Sequence, residues 1–101
     1  MALDRIGVPK MDIERLCRQY HVRRLAIFGS MIHKDSRPDS DVDVLVEFEP
    51  DAQIGLDFFI LQDDLSRQFG RTVDLHTPAS LSRYFRDSVL AEAEDQYVAL
   101  R

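Results

Sequence analysis

Leu25-Ala26-Ile27-Phe28-Gly29-Ser30, ten intervening residues, and then Asp41-Val42-Asp43-Val44-Leu45-Val46 form the stretch whose reading decides the fold. The first run is apolar and ends at a glycine, which reads as a buried strand closing on a turn. In the second, Val42, Val44, Val46 and Phe48 alternate onto one face, leaving Asp41, Asp43, Leu45 and Glu47 on the other. Two aspartates at i and i+2 on a strand point the same way, their Cα atoms roughly 6.5–7 Å apart. Hard divalent cations such as Mg²⁺ take carboxylate oxygens together with triphosphate oxygens. Gly29 permits close approach of backbone to a ligand, and Ser30 with the N–H groups after it suits a phosphate if a helix starts there. A carboxylate pair opening an apolar strand repels itself unless cations lie nearby.

Outward from this stretch the chain alternates helices and strands. Upstream, Ile13, Leu16, Cys17 and Tyr20 recur at i, i+3, i+4 and i+7, predicting an amphipathic helix over 9–20. The segment 30–40 is polar with turn signals at Pro38 and Asp39-Ser40, and a short helix can begin at Ser30. Glu49-Pro50-Asp51 breaks the second strand. Ile54, Phe58, Leu61, Leu65 and Phe69 then mark a helix over 55–69 that Gly70 terminates. Thr72-Val73-Asp74-Leu75 is a third, short strand, which places Asp74 as a third acid inside an apolar run. Thr77-Pro78 opens a last helix with Leu81, Phe85, Val89 and Ala93 at four-residue intervals. Residues 97–100 are either a closing strand or the tail of that helix. The order predicts an α/β (α+β) fold, a small mixed sheet flanked by helices.

A chain of 101 residues is the size of one domain, so residues 1–101 are expected to form a single unit. The net charge of −5 argues against direct nucleic-acid binding through a basic surface. The single Cys17 offers no disulfide and no cysteine metal cluster, and its place in the helical stripe makes it a small buried hydrophobe. No apolar run reaches the ~20 residues that span a bilayer. Asp4, Arg5 and Pro9 interrupt any secretion signal, which predicts a cytoplasmic protein with no membrane partner.

Gly29-Ser30, the ten residues from Met31 to Ser40, and Asp41-Val42-Asp43 reproduce the Gly-Ser, ten-residue, Asp-x-Asp signature of the DNA polymerase β-like nucleotidyltransferases. The chain most resembles the minimal nucleotidyltransferase (MNT) proteins of that superfamily. The likeness takes in the helix before the signature, the aromatic-rich helix after it and Asp74. It implies a polymerase β-like fold in which Asp41 and Asp43 bind two Mg²⁺ ions, with Asp74 completing the carboxylate set and helping to activate the acceptor hydroxyl. It implies that Gly29 and Ser30 contact the triphosphate of ATP. Proteins of this size resemble the antitoxin of a pair whose partner is a HEPN ribonuclease toxin, with AMP passing from ATP to a toxin tyrosine. Where many relatives carry Ala-Arg, this chain has Ile32-His33, leaving Lys34 and Arg37 as candidate nucleotide-binding cations. Two other readings follow: an antitoxin that neutralises by binding alone, and a transferase acting on a small molecule of aminoglycoside type. Homo-oligomerisation is compatible with each.

Other residues receive plainer readings. Phe59 lies off the apolar stripe and, with Ile60, suits a dimer or toxin interface. Glu47 falls ~13 Å beyond Asp43 by strand rise and reads as surface. Asp63, Asp64, Arg83 and Arg86 read as solvated helix charges, and His21 and His76 as strand-border residues without assigned chemistry.

Overall fold

A computed structural model describes residues 9–29, 41–81, 83–84 and 86–99. Helix α1 (Lys10–Gln19) buries Ile13 and Cys17, one turn apart as the apolar spacing requires. Strands β1 (Val22–Phe28) and β2 (Val42–Phe48) follow, then helix α2 (Asp57–Phe69) and strand β3 (Val73–His76). A 3₁₀ turn over Pro78–Ser80, helix α3 (Arg86–Glu92) and strand β4 (Glu94–Val98) complete the described order. The four strands make one sheet ordered β3-β2-β1-β4. Strand β1 is antiparallel to β2 and β4, while β2 and β3 run parallel with α2 as their crossover. The expected mixed sheet flanked by helices is therefore the observed one.

Side-chain alternation divides the sheet between two cores. Val22, Leu25, Ile27, Val42, Val44, Val46, Val73 and Leu75 face α1 and α2, meeting Ile13, Cys17, Leu61, Leu65 and Phe69. On the other face Ala26, Phe28, Leu45 and Leu81 make a smaller cluster, partly covered by Val89, Leu90 and Ala93. Burial pushes the Cys17 thiol up to about 12, so it is an inert packing residue. Gly70, at φ +65°, closes α2 in the left-handed conformation that suits a helix end. Tyr20 caps the α1 end of the larger core, and its hydroxyl donates to Asp64 on α2 at 2.7 Å.

Strand β3 is an edge, and α2 covers its outer side. The Val73 N–H donates to Ser66 Oγ at 3.0 Å, and the Leu75 N–H donates to Gln62 Oε1 at 2.9 Å. These bonds satisfy donors that would otherwise invite another strand, and they tie β3 to the helix that delivers it. Phe59 and Ile60 are exposed, as is Leu56 three residues before Phe59.

Several expectations change. The helix expected from Thr77 onward is two elements. Thr77 and Ser80 cap each other within one turn, and Leu81 then adopts an extended conformation (φ −80°, ψ 142°) with its side chain in the smaller core. Residues 97–100 were open between strand and helix tail, and Tyr97 and Val98 belong to β4, which begins at Glu94. Ile54 lies before α2, and β3 runs one residue further than expected, to His76. Glu47 is half-buried and bridged to Arg23 and Arg24, Asp64 is held by Tyr20, and Arg86 donates to the Leu81 carbonyl. The expected short helix at Ser30, together with Phe85 and Leu100, lies outside the described residues.

Gln62→Ala is expected to speed hydrogen exchange at the Leu75 amide roughly tenfold, the loss of about one modest hydrogen bond, and to leave the central β1 amides unchanged. Unaltered exchange at Leu75 would show that α2 does not hold this edge.

Candidate active site

Asp43 is the second residue of β2, on the face it shares with Leu45 and Glu47. Its register partners are Phe28 on β1 and Asp74 on β3, so one row across three strands reads Phe28, Asp43, Asp74. Gly29 comes directly after that row at φ +76°. A Cβ built on Gly29 would sit 2.5 Å from Asp43 Oδ2 and 3.4 Å from its Cγ. Two separate demands thus select glycine: the left-handed backbone, and a carboxylate occupying the space a side chain would need.

Burial pushes the Asp43 carboxyl above the ordinary carboxylate range. His76 opposes that shift, while the Asp74 and Asp41 carboxylates add to it. His76 Nε2 lies 3.7 Å from Asp43 Oδ1. Glu47, on the same face at the far end of β2, makes an instructive contrast. Arg24 donates to Glu47 Oε2 at 3.1 Å and to Asp95 Oδ1 at 2.6 Å, so that acid is neutralised within the fold. Among the described residues Asp43 has no lysine or arginine in ion-pair contact, only other acids and one imidazole. An under-neutralised carboxylate of this kind is suited to a cation brought from outside.

The structure brings Asp41, Asp43 and Asp74 to one end of the sheet beside Gly29. Asp41 precedes β2 and is exposed, and the next residue anchors the chain as the Val42 N–H donates to the Thr72 carbonyl at 2.9 Å. Asp74 is exposed on the edge strand. Ser30, His33, Lys34 and Arg37 lie outside the described residues. Among the described residues, no three His, Cys, Asp or Glu side chains are gathered closely enough to hold a metal alone. The donor set nonetheless fits Mg²⁺, which commonly binds one or two carboxylates and completes its shell with water and substrate phosphates. Two surface hollows of about 620 and 630 Å³ lie elsewhere, one between α1 and β4 and one beside the end of α2. The residue that sequence reasoning passed over is His76. Its signal was the same i, i+2 spacing from Asp74 that joins Asp41 to Asp43.

A family model for the nucleotidyltransferase domain matches residues 11–98. The chain belongs to this family. Among its nucleotidyltransferase relatives, the protein adenylyltransferase MntA of Thermococcus cleftensis is 35% identical over 79 residues, covering 78% of this chain and 79% of that one. The structure of a minimal nucleotidyltransferase superposes with a TM-score of 0.74 at 32% identity, covering 92% of this chain and 94% of that one. A complex of a tri-AMPylated HEPN toxin with MNT antitoxin, from Shewanella oneidensis, shares the fold at 21% identity. Its TM-score is 0.58, and the match covers 89% of this chain and 70% of that one. The protein is thus a nucleotidyltransferase with the minimal form of the fold. No helix among the described residues is long and apolar enough to cross a membrane.

Two outcomes follow from the geometry. Gly29→Ala is expected to lower stability by about 1–3 kcal/mol in urea unfolding, because the new methyl meets both a strained backbone and the Asp43 carboxylate. Asp43 titrates above its unfolded value, so its contribution to stability is favourable at low pH and lost as pH rises through the folded value. At neutral pH the ionised group is a net cost, and Asp43→Asn should raise the melting temperature in EDTA by roughly 1–3 °C. A clear fall in melting temperature would show the ionised carboxylate to be structural.

Proposed function

We propose that this protein transfers AMP from ATP to a hydroxyl, a tyrosine, on a HEPN toxin and serves as the antitoxin of that pair. The single observation carrying the reading is the cross-strand row that sets Asp43 beside Asp74, with Gly29 cleared of any side chain against the Asp43 carboxylate. Asp41, Asp43 and Asp74 are the residues that would hold two Mg²⁺ ions. Bound there, the ions would offset triphosphate charge and favour both the attacking alkoxide and the departing pyrophosphate. Gly29 lets the backbone approach the phosphates, and the Ser30 hydroxyl with the N–H groups that follow it would receive them if a helix starts there. Lys34 and Arg37 are the cations assigned to the triphosphate. Asp74, exposed on the edge strand, takes the role of orienting the acceptor hydroxyl and receiving its proton. The hydroxyl oxygen bonds to the α-phosphorus, the bond to the β-phosphate oxygen breaks, and pyrophosphate leaves.

The comparison with a protein adenylyltransferase supports a protein acceptor, and the fold shared with a HEPN-bound antitoxin supports the partner's class. A second reading, neutralisation by binding alone, is favoured by one observation, His33 in place of the usual arginine. Incubating the protein with labelled ATP, Mg²⁺ and its HEPN partner should label the partner, and Asp41→Ala with Asp43→Ala should reduce labelling to background. Label that survives the double change overturns the transfer assignment. Neutralisation that survives it, with label lost, selects the binding reading.

A further inference from the structure

The Asp43 carboxylate is flanked by two strands, and each addresses a different oxygen. On the β1 side, Oδ2 is the atom that a side chain at Gly29 would strike. On the β3 side, His76 Nε2 stands 3.7 Å from Oδ1. The imidazole is itself braced, meeting the Phe28 ring edge-on with centroids 5.5 Å apart and planes at 60°. Phe28 is buried in the smaller core, so the brace is anchored in the fold rather than in a surface loop. Both flanking contacts depend on the same register row, because Phe28 and Asp74 are the cross-strand partners of Asp43.

We propose that His76 is a positioning residue that orients the Asp43 carboxylate for a divalent cation, its Nε2–H directed at Oδ1. This rests on the reading of Asp43 as a metal-holding carboxylate. A carboxylate that rotates freely loses that freedom on coordinating a cation, whereas one steered by a donor on the neighbouring strand arrives oriented. Outer-shell donors of this kind are typically worth about 10–100-fold in metal affinity. At 3.7 Å the contact is electrostatic attraction rather than a formed hydrogen bond, and both side chains are about one-third exposed. Its removal should therefore affect cation binding far more than folding.

The test measures free Mn²⁺ by electron paramagnetic resonance while the full-length protein is titrated in the presence of a non-hydrolysable ATP analogue. Wild type should bind and Asp43→Asn should not. His76→Leu should weaken Mn²⁺ binding roughly tenfold. His76→Asn, whose amide is too short to reach Oδ1, should weaken it similarly. His76→Gln, whose amide nitrogen reaches where Nε2 stood, should stay within about threefold of wild type. Urea midpoints of all three should match wild type. Failure of the wild type to bind, or unimpaired binding by Asp43→Asn, removes the metal reading of Asp43 and this inference with it. Normal binding by His76→Leu, with Asp43→Asn defective, overturns the His76 role alone. Equal weakening in His76→Leu and His76→Gln also overturns it, since an orienting donor would be rescued by the glutamine.

Discussion

An ionised carboxylate set among packed strands is the constraint on which the rest of this structure depends. Asp43 shares its face of β2 with Leu45, and burial alone pushes it toward the neutral acid. Asp41 and Asp74 increase the strain, and His76 is the one described group that relieves it. Among the described residues, Gly29 withholds a side chain from the carboxylate, and Asp74 is exposed at the sheet edge. The same face handles its other acid in the opposite way, clamping Glu47 with two arginines. One end of the face is thus neutralised within the fold, while at the other no described lysine or arginine pairs with Asp43.

That arrangement is tolerable because stability is drawn mainly from the other side of the sheet. The larger core joins both long helices to β1, β2 and β3, and none of its members belongs to the carboxylate cluster. The smaller core of Ala26, Phe28, Leu45 and Leu81 approaches the site without covering it. Alternation along β2 makes the separation possible, since each valine that builds the larger core points away from the acids. The side-chain bonds from Gln62 and Ser66 then fix the edge strand laterally, and with it Asp74 and His76.

Much of this was legible before the structure. The helical stripe of Ile13, Cys17 and Tyr20, the alternation of β2, the stop at Gly70 and the exposure of Phe59 and Ile60 all appear where their spacing placed them. These features arise from short-range periodicity, which a single chain displays openly. The misreadings arise where a longer-range contact overrides a local pattern. Leu81, Val89 and Ala93 keep helical spacing, yet the turn that Thr77 and Ser80 cap at its start stops at Leu81, which is extended and packs into the smaller core. Arg86 and Asp64 looked like solvated charges because their partners, the Leu81 carbonyl and the Tyr20 hydroxyl, belong to other elements.

What the sequence by itself determined is the face each residue of β2 presents and the glycine turn before it, because strand periodicity and backbone sterics are properties of a few neighbouring residues. What only the tertiary structure decided is which residues stand next to Asp43. The parallel pairing with β3 sets Asp74 opposite it and brings His76 to its Oδ1, and the antiparallel pairing with β1 brings Gly29 to its Oδ2. Those neighbours come from positions 14 residues before and 31 and 33 residues after Asp43 in the chain. Register is fixed only when the apolar faces of separate strands are paired, since a one-residue slip would turn every side chain to the other face, and which strands pair is not written in either one alone.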